Sequence, residues 1–140
     1  MALVFDGGSS QSVALANSAD FSPGTGVFTI AVRFKTSHDF IADGMFWWDY
    51  GDPTANLVFF GVGTDDKLYG RCRDGDGDIL TISAGAAIND GTIYTGIFVR
   101  ETQTTARLYL DGDSIGTNSN AAVGNINVSA GTTPRLSITR

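Results

Sequence analysis

The feature that most restricts this chain's fold lies at residues 27–35, where Phe28, Ile30, Val32 and Phe34 alternate with Val27, Thr29, Ala31, Arg33 and Lys35. A period of two puts successive side chains on opposite faces of an extended backbone, whereas an amphipathic helix repeats every three to four residues. The segment is a strand with one face on a core. Similar short runs recur at 3–5, 12–15, 45–50, Leu57–Val62, 67–73, 79–83, Ile93–Arg100, Ala106–Leu110 and 135–139. Turn chemistry separates them: Asp6-Gly7-Gly8, Pro23-Gly24, Asp43-Gly44, Gly51-Asp52-Pro53, Asp74-Gly75-Asp76-Gly77, Asn89-Asp90-Gly91 and Asp111-Gly112. Strands this closely spaced leave no room for the helical crossovers of a parallel sheet. The expectation is an all-β, antiparallel two-sheet sandwich. Residues 116–133, rich in Ala, Asn, Ser and Gly, are read as loosely patterned loop and strand around Val123, Ile126 and Val128.

Composition sets the limits. A chain of 140 residues, 42% hydrophobic and 17% charged, supplies one core and is too apolar to stay disordered. The 18 glycines fit many tight turns. A formal charge of −6 with 9 scattered Lys and Arg argues against a nucleic-acid footprint, and polyanions are not expected partners. Cys72, the single cysteine, cannot close an intrachain disulfide and is read as a core residue. The N-terminal sequence Met1-Ala2-Leu3-Val4-Phe5-Asp6 lacks the basic and apolar regions of a signal peptide, and no apolar run is long enough for membrane insertion.

Several segments together resemble a known family. Ala2-Leu3-Val4-Phe5-Asp6-Gly7, Val13 to Asn17, Asp20-Phe21-Ser22 and the alternating strand from Phe28 to Lys35 are similar to the opening strands of laminin-G-like domains. These are jelly rolls of the concanavalin A-like lectin and glucanase superfamily. Asn89-Asp90-Gly91 through Phe98-Val99-Arg100, followed by Arg107-Leu108-Tyr109-Leu110-Asp111-Gly112, resembles the family's paired strands and hairpin. The resemblance implies one jelly-roll domain over residues 1–140. Two departures stand out: Ile93-Tyr94 occupies the place of the family's Trp-His pair, and the chain stops at Arg140 where the family adds a closing strand. An open edge near residues 2–6 or 135–140 is therefore expected, suited to pairing with another subunit.

Catalysis is not expected. Glycosidases of related jelly rolls need two carboxyl groups about 5 to 9.5 Å apart, and Glu101 is the only Glu of the chain. His38 and Cys72, the only His and the only Cys, are separated by 33 residues without a nucleophile motif. Asp74, Asp76 and Asp78 alternate in a Gly-rich turn and could present oxygens to calcium. Against an EF-hand, Ile79 and Gly85 hold the places of its Gly and Glu. The run is read first as a hairpin with no cofactor, and second as a calcium site. The candidate ligand-binding residues are Trp47, Trp48 and Tyr50, because aromatic rings stack on sugars. Strict alternation groups Phe46, Trp48 and Tyr50 on one face and Met45, Trp47 and Asp49 on the other, so one Trp should lie away from the core.

These features point to a non-catalytic binding or structural module at a virion surface or outside cells. A capsid-decoration or tail-appendage protein of a bacteriophage is the first expectation. Its partners would be other protein subunits, as a homo-oligomer or larger assembly, and glycans, but not nucleic acid. The alternatives are a carbohydrate-binding domain of a secreted or cell-surface protein and a degenerate glycoside hydrolase.

Overall fold

The computed structural model describes residues 11–14, 22–39, 44–50, 56–77, 79–119, 122–127 and 135–138, with backbone alone at 11–14, 44–50, 79 and 135–138. These residues form ten strands and no helix. The strands are β1 (Gln11–Ala14), β2 (Phe28–Lys35), β3 (Gly44–Tyr50), β4 (Leu57–Val62), β5 (Leu68–Arg73), β6 (Ile79–Ala84), β7 (Ile93–Arg100), β8 (Ala106–Leu110), β9 (Asp113–Asn118) and β10 (Arg135–Ile138). They make a six-stranded sheet, ordered β1-β10-β3-β4-β5-β6, and a four-stranded sheet, ordered β2-β7-β8-β9. All neighbouring strands pair antiparallel. The expected sandwich is what forms.

The inward rows follow from the alternation. Val58, Phe60 and Val62 of β4, Leu68 and Cys72 of β5, and Leu80 and Ile82 of β6 meet Phe98 of β7 and Ala106 and Leu108 of β8, and all are buried. Phe28, Ile30, Val32 and Phe34 pack on this core from β2, as their spacing predicts. Two glycines let large rings fit between the sheets. A Cβ on Gly70 would lie 2.6 Å from the Phe98 ring, and one on Gly96 would lie 3.1 Å from Phe60. With both Cβ atoms missing, the Phe60 and Phe98 rings stack at 6.1 Å.

Two features depart from the sequence expectations. β9 has no counterpart among the runs legible in the sequence, because Asp113-Ser114-Ile115-Gly116-Thr117-Asn118 carries little apolar alternation. It forms because Asp111 and Gly112 both take positive φ (49° and 97°), turning the chain back onto β8. The edge expected at 135–140 is also revised: β10 lies between β1 and β3, paired with β1 through Gln11↔Ile138 to Ala14↔Arg135, so Arg135–Ile138 is interior to the sheet. The family position held by Ile93-Tyr94 keeps the strand register, with Lys35↔Ile93 and Phe34↔Tyr94. The expected strand at 3–5 lies outside the described residues.

Candidate functional site

The outer face of the six-stranded sheet is built from the residues that alternate with the core. On β5 these are Tyr69, Arg71 and Arg73; Gly70 and Cys72 between them face inward and are buried. The register extends this face across the sheet. Arg71 is opposite Phe59 on one side and Thr81 on the other; Phe59 pairs with Trp48, and Trp48 with Arg135. One row of backbone positions therefore runs Arg135, Trp48, Phe59, Arg71, Thr81. The adjacent row runs Tyr50, Leu57, Arg73, Ile79.

The described side chains give this face its chemistry. Phe59, only 6% exposed, contacts the half-exposed Tyr69 edge to face, with ring centroids 5.2 Å apart. Such a contact favours this orientation of the Tyr69 ring. Arg71 and Arg73 are half-buried, and among the described residues the Nε of each, like that of Arg100, is withdrawn from solvent with no hydrogen-bond partner. The Arg73 guanidinium folds toward the β5–β6 turn, where a Cβ on Gly77 would lie 3.3 Å from its Nη2. Two other cations are matched: Lys67 to Asp65 at 3.4 Å, and Arg107 to Glu101 at 2.9 Å. Burial works against the Asp65 carboxylate, but the Ser83 hydroxyl, the Lys67 amide and the Lys67 ammonium outweigh it and hold the pKa below the ordinary value.

The sequence-predicted aromatics divide on this register. Trp48 and Tyr50 hold outer-row positions, across from Phe59 and Leu57. Trp47 is registered with Phe60, on the row that faces the other sheet. A bulge between Met45 and Trp47 breaks strict alternation: they pair with Gly61 and Phe60, which are neighbours on β4, so they do not share a face as the even spacing predicts. What the side chains of Trp47, Trp48 and Tyr50 touch lies outside the described residues.

The aspartate run serves the fold at its first member. Asp74 is 2% exposed. Its Oδ1 accepts the Asp76 N–H at 3.1 Å and its Oδ2 the Gly124 N–H at 2.6 Å, while its carbonyl accepts the Gly77 N–H at 3.3 Å. Asp76 is exposed, and Asp78 lies outside the described residues. Among the described residues no group of three or more His, Cys, Asp or Glu is placed to hold a metal ion. Glu101 is held by Arg107 through both carboxylate oxygens, at 2.9 and 3.2 Å.

Sequence reasoning missed Arg71, Arg73 and Arg100. The first two were visible as Arg-Cys-Arg alternation in an expected strand, a signal that marks both arginines as sharing a face. Arg100 gave no such signal: it ends β7 on the inward row, fully buried, and donates to the carbonyls of Gly24 and Gly124, each at 2.9 Å, and of Val123.

Comparison with known proteins agrees with this architecture. No curated protein matches the sequence. Among solved structures, domains LG4-5 of the mouse laminin α1 chain match with a TM-score of 0.69 at 15% identity, over 91% of this chain and 31% of that one. The CBM40 of the Ruminococcus gnavus IT-sialidase bound to α2,3-sialyllactose matches with a TM-score of 0.61 at 17% identity, over 77% of this chain and 61% of that one. The heptameric SAP-like pentraxin of Limulus polyphemus matches with a TM-score of 0.54 at 15% identity, over 96% and 65%. This chain thus spans less than two thirds of the laminin, CBM40 and pentraxin chains, and the likeness is one of fold. The family model of the concanavalin A-like lectin/glucanases superfamily matches residues 6–139. With the laminin-type sandwich in place, the chain belongs to that superfamily as a laminin-G-like domain.

Proposed function

We propose that this domain is a non-catalytic glycan-binding module whose ligand lies across the outer face of the six-stranded sheet. The observation that carries the reading is the Tyr69 ring, set by Phe59 and bordered by Arg71 on the same face of β5. A partly exposed aromatic ring oriented by a neighbouring ring offers a stacking surface to the apolar face of a sugar, and neighbouring N–H and O–H donors engage its hydroxyls. Trp48 and Tyr50 stand on the same outer rows. The shared fold with a CBM40 solved with α2,3-sialyllactose supports the ligand class. Binding without turnover is supported by Glu101, the only Glu, being engaged by Arg107.

Glycan-array binding with the whole chain tests the reading. Tyr69→Ala and Trp48→Ala should each weaken binding while leaving the melting temperature within a few degrees, and Trp47→Ala should affect stability more than binding. Glycan binding that survives both Tyr69→Ala and Trp48→Ala overturns the choice of face. Incubation with β-glucans should release no reducing ends.

A place on the surface of a larger assembly, such as a capsid decoration or tail appendage of a bacteriophage virion or a cell-surface protein, is the finer part of the proposal. It is favoured by β2, an eight-residue strand that pairs only with β7 among the described residues. Long edges of this kind are natural sites for strand addition. Light scattering should give a mass above 14.7 kDa; a monomer at all concentrations removes this part.

A further inference from the structure

We propose that the ligand of the outer face carries acidic groups, carboxylate or sulfate, and that Arg71 and Arg73 read them. The inference deepens the glycan reading and rests on it. The two residues are two positions apart on β5, so their Cα atoms lie about 7 Å apart on one face. Both side chains therefore leave the strand on the same face. Neither guanidinium makes a hydrogen bond or ion pair among the described residues, and the Nη groups of both, unlike their Nε, are not withdrawn from solvent, so an arriving acceptor can reach them. Oxygens of a carboxylate or sulfate suit the guanidinium fork, which donates two parallel N–H bonds to such groups.

The surroundings favour a sugar as the carrier of the charge. Arg71 stands between Phe59 and Thr81 in its row and follows Tyr69 along its strand, so an acidic group at Arg71 places the attached ring beside the Tyr69 face. A long polyanion is disfavoured. The chain carries a net charge of −6, and the β5–β6 turn next to Arg73 holds Asp74 and Asp76. One or two acidic groups, held at short range against an overall repulsive field, fit the site; a nucleic acid does not. The scattered cations of the sequence become a local pair only through the alternation of β5.

The test measures binding of the whole chain to lactose, α2,3-sialyllactose and a sulfated lactose, which share a neutral core. The acidic sugars should bind roughly 10- to 100-fold more tightly than lactose, the range expected for hydrogen bonds to a charged group. Arg71→Gln and Arg73→Gln should each erase most of the difference between the acidic sugars and lactose, while Arg71→Lys keeps part of it. Comparing the two acidic probes shows which anion the fork prefers. Equal binding of all three sugars, or a preference that survives both Gln variants, overturns the proposal and leaves the glycan reading intact. Binding to none of the three overturns the glycan reading, and this proposal with it. Loss of acidic-sugar binding in the Arg variants but not in Tyr69→Ala upholds the anion pair and removes the aromatic platform.

Discussion

Asp74 and Arg100 grip the same residue from two sides: the Asp74 carboxylate accepts the Gly124 N–H at 2.6 Å, and the Arg100 guanidinium donates to the Gly124 carbonyl at 2.9 Å. Asp74 follows β5 and Arg100 ends β7, so the clamp ties both sheets to the 122–127 segment. Val123 and Ile126 of that segment are fully buried in the core. The segment is further held by Val123 N–H to the Gln103 carbonyl, by Asn127 N–H to Asn56 Oδ1, and by the Gly24↔Ile126 bridge. Burial pulls the Arg100 guanidinium below its ordinary pKa, and Cys72 and Asp74 act against that shift.

The clamp should be costly to break. Asp74→Ala strands the amides of Gly124 and Asp76 and should cost about 1–3 kcal/mol; Arg100→Met leaves three carbonyls without their donor and should cost about 3 kcal/mol. Urea unfolding checks both. An Arg100→Met variant as stable as the parent would show the clamp to be incidental.

Gly70→Ala should destabilise through overpacking. Its Cβ would fall 2.6, 2.8 and 2.9 Å from three carbons of Phe98, a ring at the centre of the core. The expected cost is about 1–3 kcal/mol. Gly70→Ala combined with Phe98→Leu should recover part of it, so a thermal-melt cycle over the two positions should be non-additive.

Cys72 should contribute to a loss of stability at alkaline pH. Burial is the main cause pushing its thiol from 9.0 up to about 11. A group whose folded pKa is raised stabilises the fold fully below its unfolded pKa, and that contribution is lost as pH rises through the folded value. Stability should therefore fall between about pH 9 and pH 11, by up to about 3 kcal/mol at 1.36 kcal/mol per unit. In Cys72→Ala this limb should flatten. Iodoacetamide should label Cys72 only under unfolding conditions.

Calcium should leave the fold unchanged. Both carboxylate oxygens of Asp74 already accept backbone amides, which leaves the 74–78 turn short of its most buried ligand. Melting curves with calcium and with chelator should superimpose. A shift of several degrees on adding calcium, abolished by Asp76→Ala, would establish a site there.

Much of this protein was determined locally by its sequence. The alternation of Phe28, Ile30, Val32 and Phe34 decided strand and buried face together, because a period of two leaves one row for the core. Tyr69, Arg71 and Arg73 were likewise legible as one face of a strand. The tertiary structure decided what local pattern cannot encode. A bulge in β3 moved Met45 and Trp47 to different rows, and one inserted residue is invisible to an even-spacing count. β9 became a strand because β8 and the Asp111-Gly112 turn supply its partner, with Ile115 as its contact to the core. Arg100, which by charge belongs on a surface, is fully buried because three carbonyls from two distant segments converge on its donors. That convergence exists only once the segments around Gly24 and Gly124 meet in space.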